Sequence, residues 1–361
     1  MKILLFILVG LGLQGSKVFA SNFTPIDDNS LSLQEITEVN CPDLLTKGAG
    51  SVTDFSLHNF QETEDLSEKN LTEIINKNFL TRIKMQANFT TLHKSHSTLP
   101  KECIHAFLRL KNNLREFEDR MGYLLNLKLK TKNKENKIAF HGDHPFLLSN
   151  PKFGSFKYKE SFKSGDIIIS RGNTFISAAI ARGNGANNHF SHLSLVYVEE
   201  TTGKIYTIES HIETGVIVRP IEEHIAQKNA REALYRYPDT ETAHKAAKYM
   251  YALARKYKEP NNIPYDFSRQ MDEHSAIDCT EIVRLAYKVA SNNGVLFPKY
   301  VSQFPINLKK FLNHIGVTSI IGFLPGDIEV DPRVELVAEW RDIELIEDTK
   351  YKNEIVSTMY K

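Results

Sequence analysis

The 361-residue chain carries 45 Lys and Arg against 44 Asp and Glu, a net charge of +1. With 41% hydrophobic and 25% charged residues it is built like a globular protein, and it is long enough for two domains. No half is strongly basic, which argues against nucleic acid as the main partner, and there is no internal repeat or glycine-rich phosphate loop.

The first twenty residues, MKILLFILVGLGLQGSKVFA, read as a secretory signal. Lys2 precedes an apolar run from Ile3 to Leu13, and Val18-Phe19-Ala20 gives a cleavage pattern after Ala20. The run is too short to anchor the chain, and no later segment reaches ~18 apolar residues. The expected product is an exported protein, periplasmic or secreted, with no transmembrane segment.

Residues 21–65 are polar and weakly patterned, and are expected to be extended or loop. From Leu66 the apolar spacing turns helical. Leu71, Ile74, Ile75, Phe79, Ile83 and Phe89 form one stripe, and Ile104, Phe107, Leu108, Leu114, Phe117, Met121 and Leu125 a second. The break at HKSHSTLP makes residues 66–126 an αα-hairpin. Lys128 to Lys137 reads as a solvated linker, and His141 to His144 (HGDH) as a loop, because no third and fourth metal ligand follow at a recognisable spacing. Residues 21–150 therefore form an N-terminal helical region, and 151–361 a second domain.

That second domain alternates strands and helices. GDIIISRG, HLSLVYV, KIYTIES, GVIVRPI and EALYRYP read as strands. FISAAIARG, residues 241–258 and DCTEIVRLAYKVAS read as helices. The fold class is α+β, an antiparallel sheet with flanking helices behind an N-terminal helical region.

The chain has three cysteines. Cys41 and Cys103 fall together in the N-terminal part and can pair in an exported protein, which leaves Cys279 as a reactive thiol or as a small core residue. Asp278 is a suitable N-cap, so Cys279 stands in the first helical turn. There the dipole and the N–H groups favour a thiolate and can hold an oxyanion. His192 opens an apolar strand, where its ring nitrogens need partners. If Val198 pairs with Gly203, Glu209 falls opposite His192 and can orient it. Cys279, His192 and Glu209 then fill the roles of nucleophile, base and orienting group. His211 is the second choice for the orienting group. His189 reads as a solvated loop residue, and Ser191 and Ser194 lack a nucleophile-elbow motif.

In order, GDIIISRG, SHLSLVY, IYTIES, YDF and DCTEIVRLAY resemble the YiiX/YebB-like cysteine hydrolases, in the circularly permuted branch of the NlpC-type papain-like superfamily. The Cys-Ser-Glu-Leu-Val of that group is matched by Cys279 to Val283, its Ser-His by Ser191-His192, and its acidic residue by Glu209. His192 precedes Cys279, as in the permuted branch. The likeness runs over about residues 160–340 and leaves the N-terminal helices unexplained. It implies a papain-like core, a substrate-cleft place for Tyr265, and an enzyme that uses no metal or cofactor to cleave an amide of peptide or cell-wall type, or an ester. The alternatives are an acyl-lipid hydrolase or acyltransferase, and a non-catalytic binding module that keeps the cleft.

Overall fold

The computed structural model describes residues 40–58, 65–95, 99–130, 146–182, 189–257, 261–268, 275–292 and 321–359, with a few isolated positions between them. The expected signal, the HGDH stretch and most of the lysine-rich segment lie outside these residues.

Three helices lead: α1 (Cys41–His58), α2 (Glu68–Ser95) and α3 (Lys101–Lys130). The α1 helix lies in a stretch expected to be extended. Its buried residues, Cys41, Leu45, Ala49 and Val52, recur at helical spacing, but Gly, Ser and Thr dilute the pattern. A disulfide between Cys41 and Cys103 ties the start of α1 to α3. The α2 and α3 helices pack against each other as the expected hairpin, each burying the stripe read from the sequence.

The rest is a seven-stranded antiparallel sheet in the order β1-β9-β6-β2-β3-β4-β5. Its strands are β1 (Leu147–Ser149), β2 (Ile167–Gly172), β3 (His192–Val198), β4 (Ile205–His211), β5 (Gly215–Pro220), β6 (Asn229–Arg236) and β9 (Glu335–Arg341). β7 (Tyr300–Val301) and β8 (Ile321–Gly322) pair separately. The remaining helices among the described residues are α4 (Phe175–Ile180), α5 (Ile221–Ile225), α6 (Thr240–Lys256), α7 (Cys279–Ala290) and α8 (Ile343–Met359). Among the described residues no helix is long and apolar enough to cross a membrane. The edge strand β1 lies on the N-terminal side of the boundary expected at residue 150.

Successive strand residues face opposite sides of a sheet, and the two faces bury different partners. One face, with Ile167, Ile169, Leu193, Leu195, Ile208 and Tyr235, packs on the N-terminal helices, α6 and α7 in a single core. The other, with Ile168, Val196, Ile205, Leu234 and Trp340, packs on Phe156, Phe162 and Ile221.

Charged groups also join the N-terminal helices to the sheet. The fully buried Glu339 of β9 meets Arg82 of α2 at 3.0 Å, Arg115 of α3 at 3.1 Å, Arg231 of β6 at 2.6 Å and Arg341 at 2.9 Å. Glu118 bonds Arg82 and Arg341, Asp119 bonds Arg231, and Glu329 bonds Arg115 and Lys111. Burial alone would raise these carboxyls, but the guanidiniums hold Glu339 well below 4.5 and bring Glu329 and Asp119 to about 2.

Two outcomes follow from this network. Glu339→Gln leaves four buried guanidiniums short of an anion, and is expected to cost ~3–5 kcal/mol in urea denaturation at neutral pH. The carboxylates have folded pKa values below their unfolded ones, so their contribution is complete above about pH 4.5 and is lost as the pH falls towards about 2. The urea midpoint of the wild type should therefore drop steeply across that window, and a flat profile there would count against the network.

Candidate active site

The α7 helix begins on a strong cap. The Asp278 carboxylate accepts from the Thr280 N–H at 2.6 Å and the Glu281 N–H at 2.8 Å, while Glu281 Oε2 accepts from the Asp278 N–H at 2.7 Å. Cys279 is therefore the first helical residue, its thiol buried and outside any disulfide. The cap limits what the sequence promised. Thr280 and Glu281 spend their N–H groups on Asp278, and the Ile282 N–H bonds the Asp278 carbonyl. The Asp278 and Glu281 carboxylates also offset the positive end of the helix dipole. A thiolate at Cys279 must draw more of its support from an imidazole.

The α7 axis fixes which end of the sheet Cys279 meets. Ser210 Oγ donates to the Ile277 carbonyl at 2.6 Å, and Tyr287 Oη donates to the Gly165 carbonyl at 2.7 Å. Helix entry thus sits at the C-terminal end of β4, which is also where β3 starts with His192. Helix exit lies at the other end, where β2 starts. Tyr265 is at the entry too. Ile263 accepts from the Val216 N–H at 2.8 Å, and Pro264 accepts from the Ile277 N–H at 2.9 Å. The chain therefore threads between β5 and the approach to Cys279, and a Cβ at Gly215 would stand 2.1 Å from the Ile263 carbonyl oxygen. The Tyr265 ring lies 5.0 Å from that of Phe267.

The register of β3 and β4 differs from the expected one. Val198 pairs with Ile205, not with Gly203, and Glu209 is opposite Ser194. The cause is a longer turn, in which the Glu199 N–H bonds the Lys204 carbonyl, the Gly203 N–H bonds the Glu199 carbonyl, and Gly203 takes φ +68°. The shift is two residues, an even number, so Glu209 stays on the same face as His192 as a diagonal neighbour. His192 Nε2 lies 3.3 Å from Glu209 Oε2. This is the face with Val196 and Ile205, whereas α7 packs on the opposite one. His192 and the start of α7 share the end of the sheet and approach it from its two sides.

Glu209 is the centre of a larger cluster. His211 Nε2 meets Oε2 at 2.8 Å, Thr207 Oγ1 donates to Oε1 at 2.6 Å, and His224 Nδ1 meets Oε1 at 2.8 Å. On its other side His224 Nε2 meets Glu232 Oε2 at 3.2 Å, and Asn229 Nδ2 donates to Glu232 Oε1 at 2.8 Å. Burial would raise the Glu209 carboxyl, yet the His224 charge and the three imidazole hydrogen bonds hold it well below 4.5. Burial pushes His192 below 6.5, and Glu209 offsets part of that. Burial also opposes charge on His224, but Glu232 and Glu209 overcome it and raise the ring to about 10. His192, Glu209 and His211 each offer one ligand atom, all within 4.8 Å of one another, a spacing at which three such atoms could hold a metal ion.

Four residues stand differently from the sequence reading. His211, the second choice for orienting His192, instead shares an oxygen of Glu209 with it. His189 is not a solvated loop residue, since its ring is mostly covered and stands 3.6 Å from Glu116 of α3. His224 and Glu232 were not singled out at all. The available signal was a histidine between Ile221 and Ile225, a position facing a core.

Residues 161–337 match the family described as permuted papain-like amidase enzyme, YaeF/YiiX, C92 family. No curated protein matches the chain. Among solved structures it is similar to one described as the metalloprotein yiiX from Escherichia coli O157:H7, with 20% identity and a TM-score of 0.40 over 50% of this chain and 98% of that one. The matched residues hold the sheet from β2 to the start of β9, along with α7, Cys279, His192 and Glu209. Over these residues, just under half of its length, the chain is similar to the permuted papain-like amidase family.

Proposed function

We propose that the protein is an exported cysteine amidase acting on a peptide or cell-wall type substrate. The observation that carries this reading is the His192–Glu209 contact at the end of the sheet where α7 begins with Cys279. Nε2 of His192 is turned to Glu209, which leaves Nδ1 as the nitrogen to take the thiol proton. In the reaction Cys279 passes its proton to His192, and the sulfur attacks the amide carbonyl. The oxyanion of the tetrahedral adduct is received by the Cys279 N–H. His192 then gives its proton to the departing amine nitrogen as the C–N bond breaks, leaving a thioester. Water attacks the thioester, His192 takes a proton from it, and the acid and the thiol are released. Glu209 holds the ring and balances its charge. Tyr265, beside the approach to Cys279, lines the substrate side. The family supports amide over ester substrates.

Export is supported by the leader sequence and by the Cys41–Cys103 disulfide, a bond that persists in oxidising compartments.

Three measurements check this reading. Iodoacetamide should alkylate Cys279 in the folded wild type at neutral pH, and His192→Ala should slow that reaction by ~10²-fold or more; equal rates in the two proteins would sink the mechanism. Mass spectrometry of peptidoglycan fragments and of phospholipids after incubation should show amide cleavage in the first, absent with Cys279→Ala, and fatty-acid release without amide cleavage would favour the lipid reading. Sequencing the exported protein should find Ser21 as its first residue, and an N-terminus at Met1 would refute the signal.

A further inference from the structure

The buried ring of His224 bridges two buried carboxylates, and the mechanism above does not use it. Nδ1 is 2.8 Å from Glu209 Oε1 and Nε2 is 3.2 Å from Glu232 Oε2. An ionised carboxylate only accepts hydrogen bonds. Glu209 takes Thr207, His192, His211 and His224 on its two oxygens, and Glu232 takes Asn229 on the other. With both carboxylates ionised each can only accept, so both nitrogens of His224 carry hydrogen and the ring is an imidazolium. Each charge in the row Glu209, His224, Glu232 is buried and has an opposite neighbour.

We propose that His224 is a positioning residue, a permanently cationic clamp that holds the Glu209 carboxylate ionised and turned towards His192. The proposal rests on the hydrolase reading. It assigns a role to α5, the short helix after β5, which places the ring against β4 and β6 at once. No other described group spans the two carboxylates. The charged and polar groups around Glu209 are Thr207 and His211 of β4, His192 and Ser194 of β3, Arg219 of β5 and His224 itself. Arg219 Nε pairs with Oε1 at 3.8 Å, an ion pair too long to be a hydrogen bond and one that does not reach Glu232. Thr207 donates to Oε1 but carries no charge. Without His224, Glu209 and Glu232 are two buried carboxylates with no cation between them. Glu209 then binds a proton more readily, and its support for a protonated His192 falls. The Cys279 thiolate loses its counter-ion and forms at higher pH.

The test is the iodoacetamide alkylation rate of Cys279 against pH, measured alongside the melting temperature. His224→Gln can donate to one carboxylate but turns its carbonyl to the other, and it carries no charge. Its rate at pH 7 should fall about tenfold or more, the factor set by one pKa unit. The midpoint of its profile should rise towards ~8.5, that of an ordinary thiol. A merely structural role would lower the melting temperature and leave the profile of the folded protein where it was. A folded His224→Gln whose profile superimposes on the wild type overturns the proposal. Should that variant not fold, Glu232→Gln carries the test. It removes the second anion that keeps His224 charged, so its profile should move in the same direction by less, and an unmoved one overturns the proposal. Failure of the two readings can be told apart. A wild-type Cys279 that resists alkylation sinks the hydrolase reading and this one with it; a reactive wild type with unmoved variants sinks the clamp alone.

Discussion

Glu339 is the interaction on which the rest of the structure depends. It is a single buried carboxylate in β9, and guanidiniums from α2, α3, β6 and β9 converge on it. Four buried cations around one anion would be untenable alone, so Glu118, Asp119 and Glu329 complete the balance. Removing any member leaves its partners in the interior with one opposite charge fewer than the balance needs. This ties the N-terminal helices to the sheet more specifically than apolar contact could, because guanidinium and carboxylate meet only in fixed geometries.

The same rule governs the smaller cluster on the opposite face. Glu209 is buried as deeply as Glu339, and it too is held ionised by what surrounds it, here mainly imidazoles and a hydroxyl, with the Arg219 guanidinium farther off at 3.8 Å. The difference matters chemically. Guanidiniums stay charged at any physiological pH, whereas an imidazole can give up its proton. A network of the first kind is structural, and one of the second kind can take part in proton transfer. His192 and His211 stand where this cluster reaches solvent, and His224 is sealed behind it.

Much of the frame was legible in the sequence because burial leaves a periodic trace. The α2 and α3 stripes, the five strands read after residue 160 and the helix opening at Cys279 all follow from spacing alone. The α1 helix escaped because its buried side chains are few and small residues interrupt them. The register of β3 on β4 escaped because it is set by the hydrogen bonds of a turn, which hydrophobic pattern does not encode. The two-residue difference preserved the face, so Glu209 still reaches His192 despite the wrong pairing. His189 escaped because its partner, Glu116, lies on a helix 73 positions earlier (189 minus 116).

By itself the sequence determined the α+β class, the candidate residues Cys279, His192 and Glu209, and the cap that opens α7, since each depends on local pattern or on a few adjacent positions. Only the tertiary structure decided how those residues stand to one another. It placed the start of α7 and the start of β3 at one end of the sheet, on its two sides. It surrounded Glu209 with three histidines drawn from β3, β4 and α5, and it gave the capped helix end fewer donors than the sequence implied. The reason is physical. A buried carboxylate is satisfied by whatever donors the fold brings within about 3 Å, and which donors those are depends on how distant segments pack.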